Sequence, residues 1–128
     1  MAIAWLFAAE RDDGPRQALR RVAAQGAVVP SLWRLEVANV LRNAIRRGRC
    51  TAAYADRSIG RLARLRIAVD SQTDEHAWTA TRALSAAYEL TLYDAAYLEL
   101  ALRLSRPLAS CDAALNKAAR DAGVALLS

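Results

Sequence analysis

The stretch that decides the fold is residues 91–104, Thr-Leu-Tyr-Asp-Ala-Ala-Tyr-Leu-Glu-Leu-Ala-Leu-Arg-Leu. At about 100° per residue it predicts a helix that is apolar around almost its whole circumference, as a central helix must be. Glu99 and Arg103 are four residues apart with the acid first, a spacing that favours an ion pair. We expect these two residues to mark the one side of the helix that faces solvent.

Asp94 lies away from that charged side, next to Tyr97 and Leu98 on the helical projection. One interpretation is a capping box, in which Thr91 is the N-cap and Asp94 reaches back to the Thr91 amide. A cap contributes about 1 kcal/mol, whereas an uncompensated carboxylate against an apolar surface costs several times as much. We therefore favour a second interpretation, in which Asp94 lines a polar or metal-binding cleft and capping is secondary.

Length and composition define a class of protein but no function. The 128 residues fit a single domain, and 55% hydrophobic residues favour a helix-rich globular protein. Cys50 and Cys111 follow no metal-ligand spacing and indicate reduced thiols, so we expect a cytoplasmic protein. The sequence shows neither the basic lead-in of a secretory signal nor an apolar run that could span a membrane. The net charge of +5 permits a nucleic-acid partner without requiring one.

Short apolar strands alternate with helices along the chain. The predicted strands cover residues 27–30, 66–70, 107–111 and 124–127. The predicted helices cover residues 2–10, 15–25, 31–47, 51–65, 73–89, 91–104 and 112–122. We expect N-caps at Ser31, Thr51, Thr91 and Asp112, and a helix that begins at Thr73. This alternation predicts a parallel sheet with helices on both faces.

One further acid, Asp112, lies where such a fold binds ligands, outside the carboxyl ends of its strands. Asp112 directly follows the predicted strand 107–111, and Asp94 can reach the same edge. An ordinary helix N-cap explains Asp112 equally well. Glu36 lies at the margin between the apolar and polar sides of its helix, stacked with Asn39. For that helix alone, a solvated boundary glutamate is the simpler interpretation.

Three segments carry a recognisable pattern in their order and spacing: Val-Val-Pro-Ser-Leu-Trp-Arg-Leu-Glu-Val-Ala-Asn-Val-Leu (28–41), Leu-Thr-Leu-Tyr-Asp-Ala-Ala-Tyr-Leu-Glu-Leu-Ala (90–101) and Pro-Leu-Ala-Ser-Cys-Asp (107–112). Over essentially the whole chain they resemble PIN-domain ribonucleases of the VapC toxin type. The resemblance implies a three-layer α/β/α sandwich with a mainly parallel sheet. It also implies a Mg²⁺-dependent endoribonuclease that forms a homodimer and is occluded by a cognate antitoxin. By motif position, Glu36, Asp94 and Asp112 match the family's acidic cluster, and Ser110 matches a small hydroxyl residue before the last acid.

The family also has a first strand that this sequence lacks. That strand is central in the family's sheet and ends in an Asp, the first metal ligand, whereas Met1 falls where a Val opens the helix that follows. Without the strand, we expect that the four remaining strands need not form one sheet and leave two apolar edges unpaired. The chain is then expected to be molten and inactive. A start codon assigned too far downstream, or decay of this homologue, explains the departure.

The acids suggest metal chemistry. Mg²⁺, which Mn²⁺ can replace, prefers oxygen ligands and keeps several waters, and it can activate a water for attack on a phosphodiester. We assign metal binding to Asp94 and Asp112. Glu36 is expected to bind the metal through water or to orient the nucleophile, with Ser110 and Asn39 in support.

Arginines cluster on the two helices that follow the first predicted strand: Arg42, Arg46, Arg47 and Arg49, then Arg57, Arg61, Arg64 and Arg66. Solvated helix faces explain them. The functional interpretation is electrostatic guidance of an RNA backbone without sequence readout. Two functions remain open: a metal-dependent endoribonuclease toxin, and a catalytically inactive PIN-like module that dimerises or binds an antitoxin.

Overall fold

The computed structural model describes residues 20–127, in which helices alternate with short parallel strands. The elements are β1 (Ala27–Val29), α1 (Trp33–Arg46), α2 (Ala52–Ala63), β2 (Ile67–Val69), α3 (Thr73–His76), a π-helical turn (Ala77–Thr81), α4 (Arg82–Tyr88), α5 (Leu92–Leu104) and α6 (Ala113–Asp121). Helix α3, the π-helical turn and α4 follow one another without a break, and residues 20–25 are also helical. The predicted helix 2–10 and the start of the predicted helix 15–25 lie outside the described residues.

The strands form two separate parallel pairs. β1 pairs with β2, with Ala27 opposite Ile67 and Val29 opposite Val69. Leu108 forms an isolated parallel bridge with Leu126. The predicted strands 107–111 and 124–127 are thus reduced to one bridge. Within the described part of the chain, the four predicted strands do not join into one sheet, and the fold is a parallel α/β arrangement dominated by helices.

A cleft of about 290 Å³ lies against both strand pairs. Val28 of β1 and Leu108 of the isolated bridge line it, together with the rings of Trp33 and Tyr97. Among residues 20–127 no strand lies between the two pairs.

Helix α5 is the centre of the core, as its apolar circumference predicted. All residues from Ala95 to Ala101 are buried, and Leu98 is 0% exposed. Trp33, Val37 and Leu41 of α1 belong to the same core cluster. None of the described helices is both long and apolar enough to cross a membrane.

The prediction that Glu99 and Arg103 face solvent is wrong, because that side of α5 packs against the end of β2. Glu99 is only 5% exposed. Arg103 Nε donates to Glu99 Oε2 at 2.8 Å, and its Nη2 donates to Asp70 Oδ2 at 2.7 Å. Asp70 directly follows β2, and the Arg103 guanidinium holds the pKa of its carboxyl below the ordinary value. The ion pair predicted by the spacing therefore exists, with a second acid added to it.

Three predicted N-caps are confirmed, each by a hydrogen bond from the backbone N–H of the residue three positions later. The side-chain oxygens of Thr51, Thr91 and Asp112 accept from the backbone N–H groups of Tyr54, Asp94 and Leu115 at 3.0, 3.1 and 2.8 Å, respectively. Each bond satisfies a helix N–H that has no partner within the helix.

The predicted cap at Ser31 is wrong, whereas α3 begins at Thr73, as predicted. The N-cap positions are Leu32 and Gln72, neither of which makes a side-chain capping bond. The backbone N–H of Ser31 instead donates to Thr73 Oγ1 at 3.1 Å, and the Thr73 hydroxyl donates to Asp70 Oδ2 at 2.8 Å. Since Ser31 precedes α1 and Asp70 follows β2, the two bonds of this hydroxyl join the start of α1 to the end of β2.

Candidate active site

Asp94 lies in the first turn of α5, half-buried, just after the Thr91 cap. Burial raises the pKa of its carboxyl, the negative charge of Asp112 raises it further, and a hydrogen bond from the Thr91 side chain opposes both effects. The charge of Asp112 therefore acts on the Asp94 carboxyl, and Thr91 caps α5 at the same end.

Asp112 begins α6, where the chain leaves the isolated bridge. Its Oδ1 accepts from Leu115 N–H at 2.8 Å, so the carboxylate caps the helix. Its own N–H donates to Ser110 Oγ at 2.9 Å. Ser110 thus supports the loop that positions Asp112, and this acid fills the capping role while interacting with Asp94.

Asn116 is a further polar residue at this end of α6 that sequence reasoning missed. Its Nδ2 donates to the Ser110 carbonyl at 3.0 Å, whereas its Oδ1 is buried with no partner among the described residues. A buried acceptor of this kind needs a donor, water or an ion. The signal was the four-residue spacing from Asp112, which places both side chains on one face of the helix.

Glu36 is connected to α5 by a side-chain hydrogen bond. The Tyr97 hydroxyl donates to Glu36 Oε1 at 2.5 Å. Burial raises the pKa of Tyr97 far above its ordinary value, and so do the hydrogen bond to Glu36 and the charges of Glu36 and Asp94. The Tyr97 hydroxyl therefore lies near two of the predicted acids. Sequence reasoning placed Tyr97 beside Asp94 and gave it no role; the three-residue spacing on α5 was the available signal.

The remaining predicted residues lie on the surface. Asn39 is exposed on α1, one turn after Glu36. The four arginines expected to contact RNA are also exposed, at the end of α1 and in the turn after it: Arg42, Arg46, Arg47 and Arg49. Their exposure is compatible with RNA contacts and equally with solvated helix faces.

The donor chemistry of the acid pair fits a partly hydrated Mg²⁺. No group of three or more His, Cys, Asp or Glu side chains within residues 20–127 is arranged to hold a metal ion. Mg²⁺ is commonly bound through only one or two carboxylates, with water and substrate phosphates completing its octahedral shell. Asp94 and Asp112 supply two such carboxylates, and their mutual repulsion is the kind that a cation relieves.

A family model described as "PIN domain" matches residues 2–121, almost the whole chain. No curated protein matches the chain significantly.

Proposed function

The chain belongs to the PIN domain family, and from this premise we propose that it is a Mg²⁺-dependent endoribonuclease, the toxin of a type II toxin–antitoxin pair. PIN domains are typically metal-dependent nucleases, which supports a nuclease-type function. The observation that carries the proposal is the hydrogen bond that joins Glu36 to Tyr97, three residues after Asp94 on α5, together with the charge of Asp112 acting on Asp94.

Each residue then has a defined task. Asp94 and Asp112 hold the cation, which supplies Lewis-acid chemistry at the scissile phosphodiester when bound. Glu36 orients the attacking water or contacts the cation through water. Ser110 positions Asp112 through the backbone N–H bond described above, and Asn39 supports Glu36 from the next turn of α1.

Protein partners form the second part of the proposal: a cognate antitoxin and a second copy of the chain, in the cytoplasm. Helices α1 and α2 support it with an apolar surface. Leu35 is 76% exposed and Ile59 is 47% exposed. A groove of about 320 Å³ between these helices is lined by Val37 and Leu62, among others. An exposed apolar surface of this kind is typical of a protein interface.

The test is cleavage of single-stranded RNA by the purified protein with Mg²⁺ or Mn²⁺, and its abolition by a chelator. Asp94→Asn keeps the size and hydrogen-bonding capacity of the side chain and removes the charge. We expect it to reduce cleavage by more than the roughly 10- to 100-fold typical of removing a residue that only supports a metal ligand. Asp121→Asn, at an exposed acid on α6, is the matched control and should be fully active.

A second candidate is a catalytically inactive PIN-like module that dimerises or binds an antitoxin. It is favoured by the lack of a group of three metal-binding side chains within residues 20–127. A folded protein that binds its partner but cleaves no RNA with either metal would establish this second function. Metal-dependent cleavage that survives Asp94→Asn would remove Asp94 from the proposed site.

A further inference from the structure

We infer that Tyr97 is a positioning residue, which fixes the Glu36 carboxylate for its task in the active site. This inference rests on the proposed nuclease function and adds to it a residue outside the acidic cluster. The geometry that carries it is the bond from the Tyr97 hydroxyl to Glu36 Oε1 at 2.5 Å, between residues 61 positions apart in the sequence.

The Tyr97 ring is held firmly enough to act as a fixed donor. Tyr97 is 7% exposed and lies in the middle of α5, between Ala96 and Leu98, which are 5% and 0% exposed. Its ring belongs to the core cluster together with Trp33 and Val37 of α1. Because a ring packed this way has one orientation, its hydroxyl is delivered to one place.

The bond from Tyr97 is the side-chain hydrogen bond that orients Glu36 within residues 20–127. Glu36 is half-buried in the first turn of α1, and a glutamate side chain loses considerable rotamer freedom when it is ordered. The Tyr97 bond supplies that ordering from a neighbouring rigid helix. Since Asp94 lies one turn before Tyr97 on α5, the same helix that carries one acid of the pair also fixes the third acid relative to it.

The bond also constrains how Glu36 can act. Oε1 accepts the Tyr97 hydroxyl, which leaves Oε2 as the oxygen not bonded to Tyr97. Bidentate coordination through both oxygens would compete with the Tyr97 hydroxyl. The geometry therefore favours Glu36 as the residue that orients a water, and it leaves cation binding to Asp94 and Asp112.

The experiment is a double-mutant cycle of Tyr97→Phe and Glu36→Gln, with kcat and KM for RNA cleavage measured for each protein. Tyr97→Phe keeps the ring and removes the hydroxyl. We expect kcat to fall roughly 10-fold, the lower end of the range for residues that support a functional group, with KM unchanged. In the Glu36→Gln background the same change should have no further effect, because the two residues act through one interaction.

Two controls separate positioning from a general structural role. Tyr88→Phe, at another tyrosine packed against the core, should leave kcat unchanged. Calorimetric titration with Mg²⁺ should give the same Kd for Tyr97→Phe and the unmodified protein, since the acid pair is intact. A 10-fold loss that persists in the Glu36→Gln background, or an unchanged kcat in Tyr97→Phe, would overturn the inference.

A spectroscopic measurement covers the case in which Tyr97→Phe does not fold. With 3-fluorotyrosine at position 97, which retains the hydroxyl, the ¹⁹F resonance should move on Glu36→Gln and stay in place on Asp121→Asn. An unmoved resonance would show that the two side chains do not interact. Two other results would instead contradict the nuclease proposal itself. In the first, the unmodified protein shows no metal-dependent cleavage; in the second, the Asp94→Asn variant retains full cleavage activity.

Discussion

At the scale of single residues, Gly26 shows how closely the chain is packed at a turn. Its φ is +78°, and a Cβ placed there would lie 2.7 Å from the Arg66 carbonyl oxygen. Both the left-handed backbone and the short approach exclude larger residues. Gly26→Ala should therefore lower the free energy of unfolding by more than about 1 kcal/mol, as measured by urea denaturation.

Gly60 offers the matched control. It lies inside α2, and among residues 20–127 no atom outside the surrounding helical backbone comes within 4 Å of the place that an alanine methyl group would take. Gly60→Ala should stabilise the protein by roughly 0.5–1 kcal/mol, because alanine restricts the unfolded chain and favours the helix. If Gly26→Ala and Gly60→Ala change stability in the same direction, the proposed contrast between a strained and an unhindered glycine is wrong.

Asp94 shows the opposite relation between a residue and stability. Its carboxyl has a raised pKa in the folded protein because of burial and the charge of Asp112. Folding therefore favours the protonated form, and the stability associated with it is lost as the pH rises above the ordinary value of 3.8. At neutral pH the ionised Asp94 carboxyl therefore opposes folding, which is typical of a site arranged for a ligand.

At the scale of elements, the packing of α5 against β2 depends on Arg103. Its guanidinium makes two bonds to Asp70 and two to Glu99, whose side chains are 9% and 6% exposed. Arg103→Met leaves the two largely buried carboxylates without their cation, so we expect roughly 3 kcal/mol lower stability at pH 7. Lys117→Met, which removes an exposed pair on α6, should change stability by less than about 0.5 kcal/mol.

The same ion pair gives a pH dependence of definite sign. Arg103 lowers the pKa of Asp70, so this carboxylate stabilises the fold above its ordinary value of 3.8 and loses that contribution as the pH falls. The deficit of Arg103→Met should shrink below about pH 3.8 in urea denaturation series. A deficit that stays constant from neutral pH to well below that value would show that reduced packing, not charge, is responsible.

At the scale of the whole molecule, exposed arginines follow Glu36 along α1 towards the end of the helix. Arg46 lies ten residues after Glu36, hence about 15 Å along the helix axis. Replacing Arg42, Arg46 and Arg47 with Gln should weaken RNA binding. It should also reduce the slope of log K against log salt by roughly two units, because each phosphate neutralised on a single strand contributes about 0.7.

A triple variant of α2 and the turn after it tests whether position or charge alone matters. Arg57, Arg61 and Arg64 are also exposed, and replacing them with Gln removes the same charge from a part of the chain that carries none of the three predicted acids. We expect a smaller change in salt slope, measured by fluorescence anisotropy. If both triple variants reduce the salt slope equally, net charge alone accounts for RNA binding. If the variant of Arg42, Arg46 and Arg47 leaves the slope unchanged, these arginines form only a solvated helix face.

The sequence by itself determined the features that depend on neighbours along the chain. Three helices are capped by a side chain that accepts from the N–H three residues later: those of Thr51, Thr91 and Asp112. Two helices end at a glycine with positive φ, Gly26 and Gly48. The apolar circumference of α5 predicted its burial correctly. These outcomes follow from local geometry, because the groups that interact lie within one helical turn of each other.

Only the tertiary structure decided which distant groups meet. Ser31 does not cap its helix and instead donates its backbone N–H to Thr73, 42 residues away. The charged side of α5 is buried because Asp70 offers Arg103 a second acid. Tyr97 meets Glu36 across 61 residues. Helical periodicity gives the side of a helix on which a residue lies and cannot give the partner that packs there. Burial and pairing are set by the free energy of the whole assembled core, to which every element contributes.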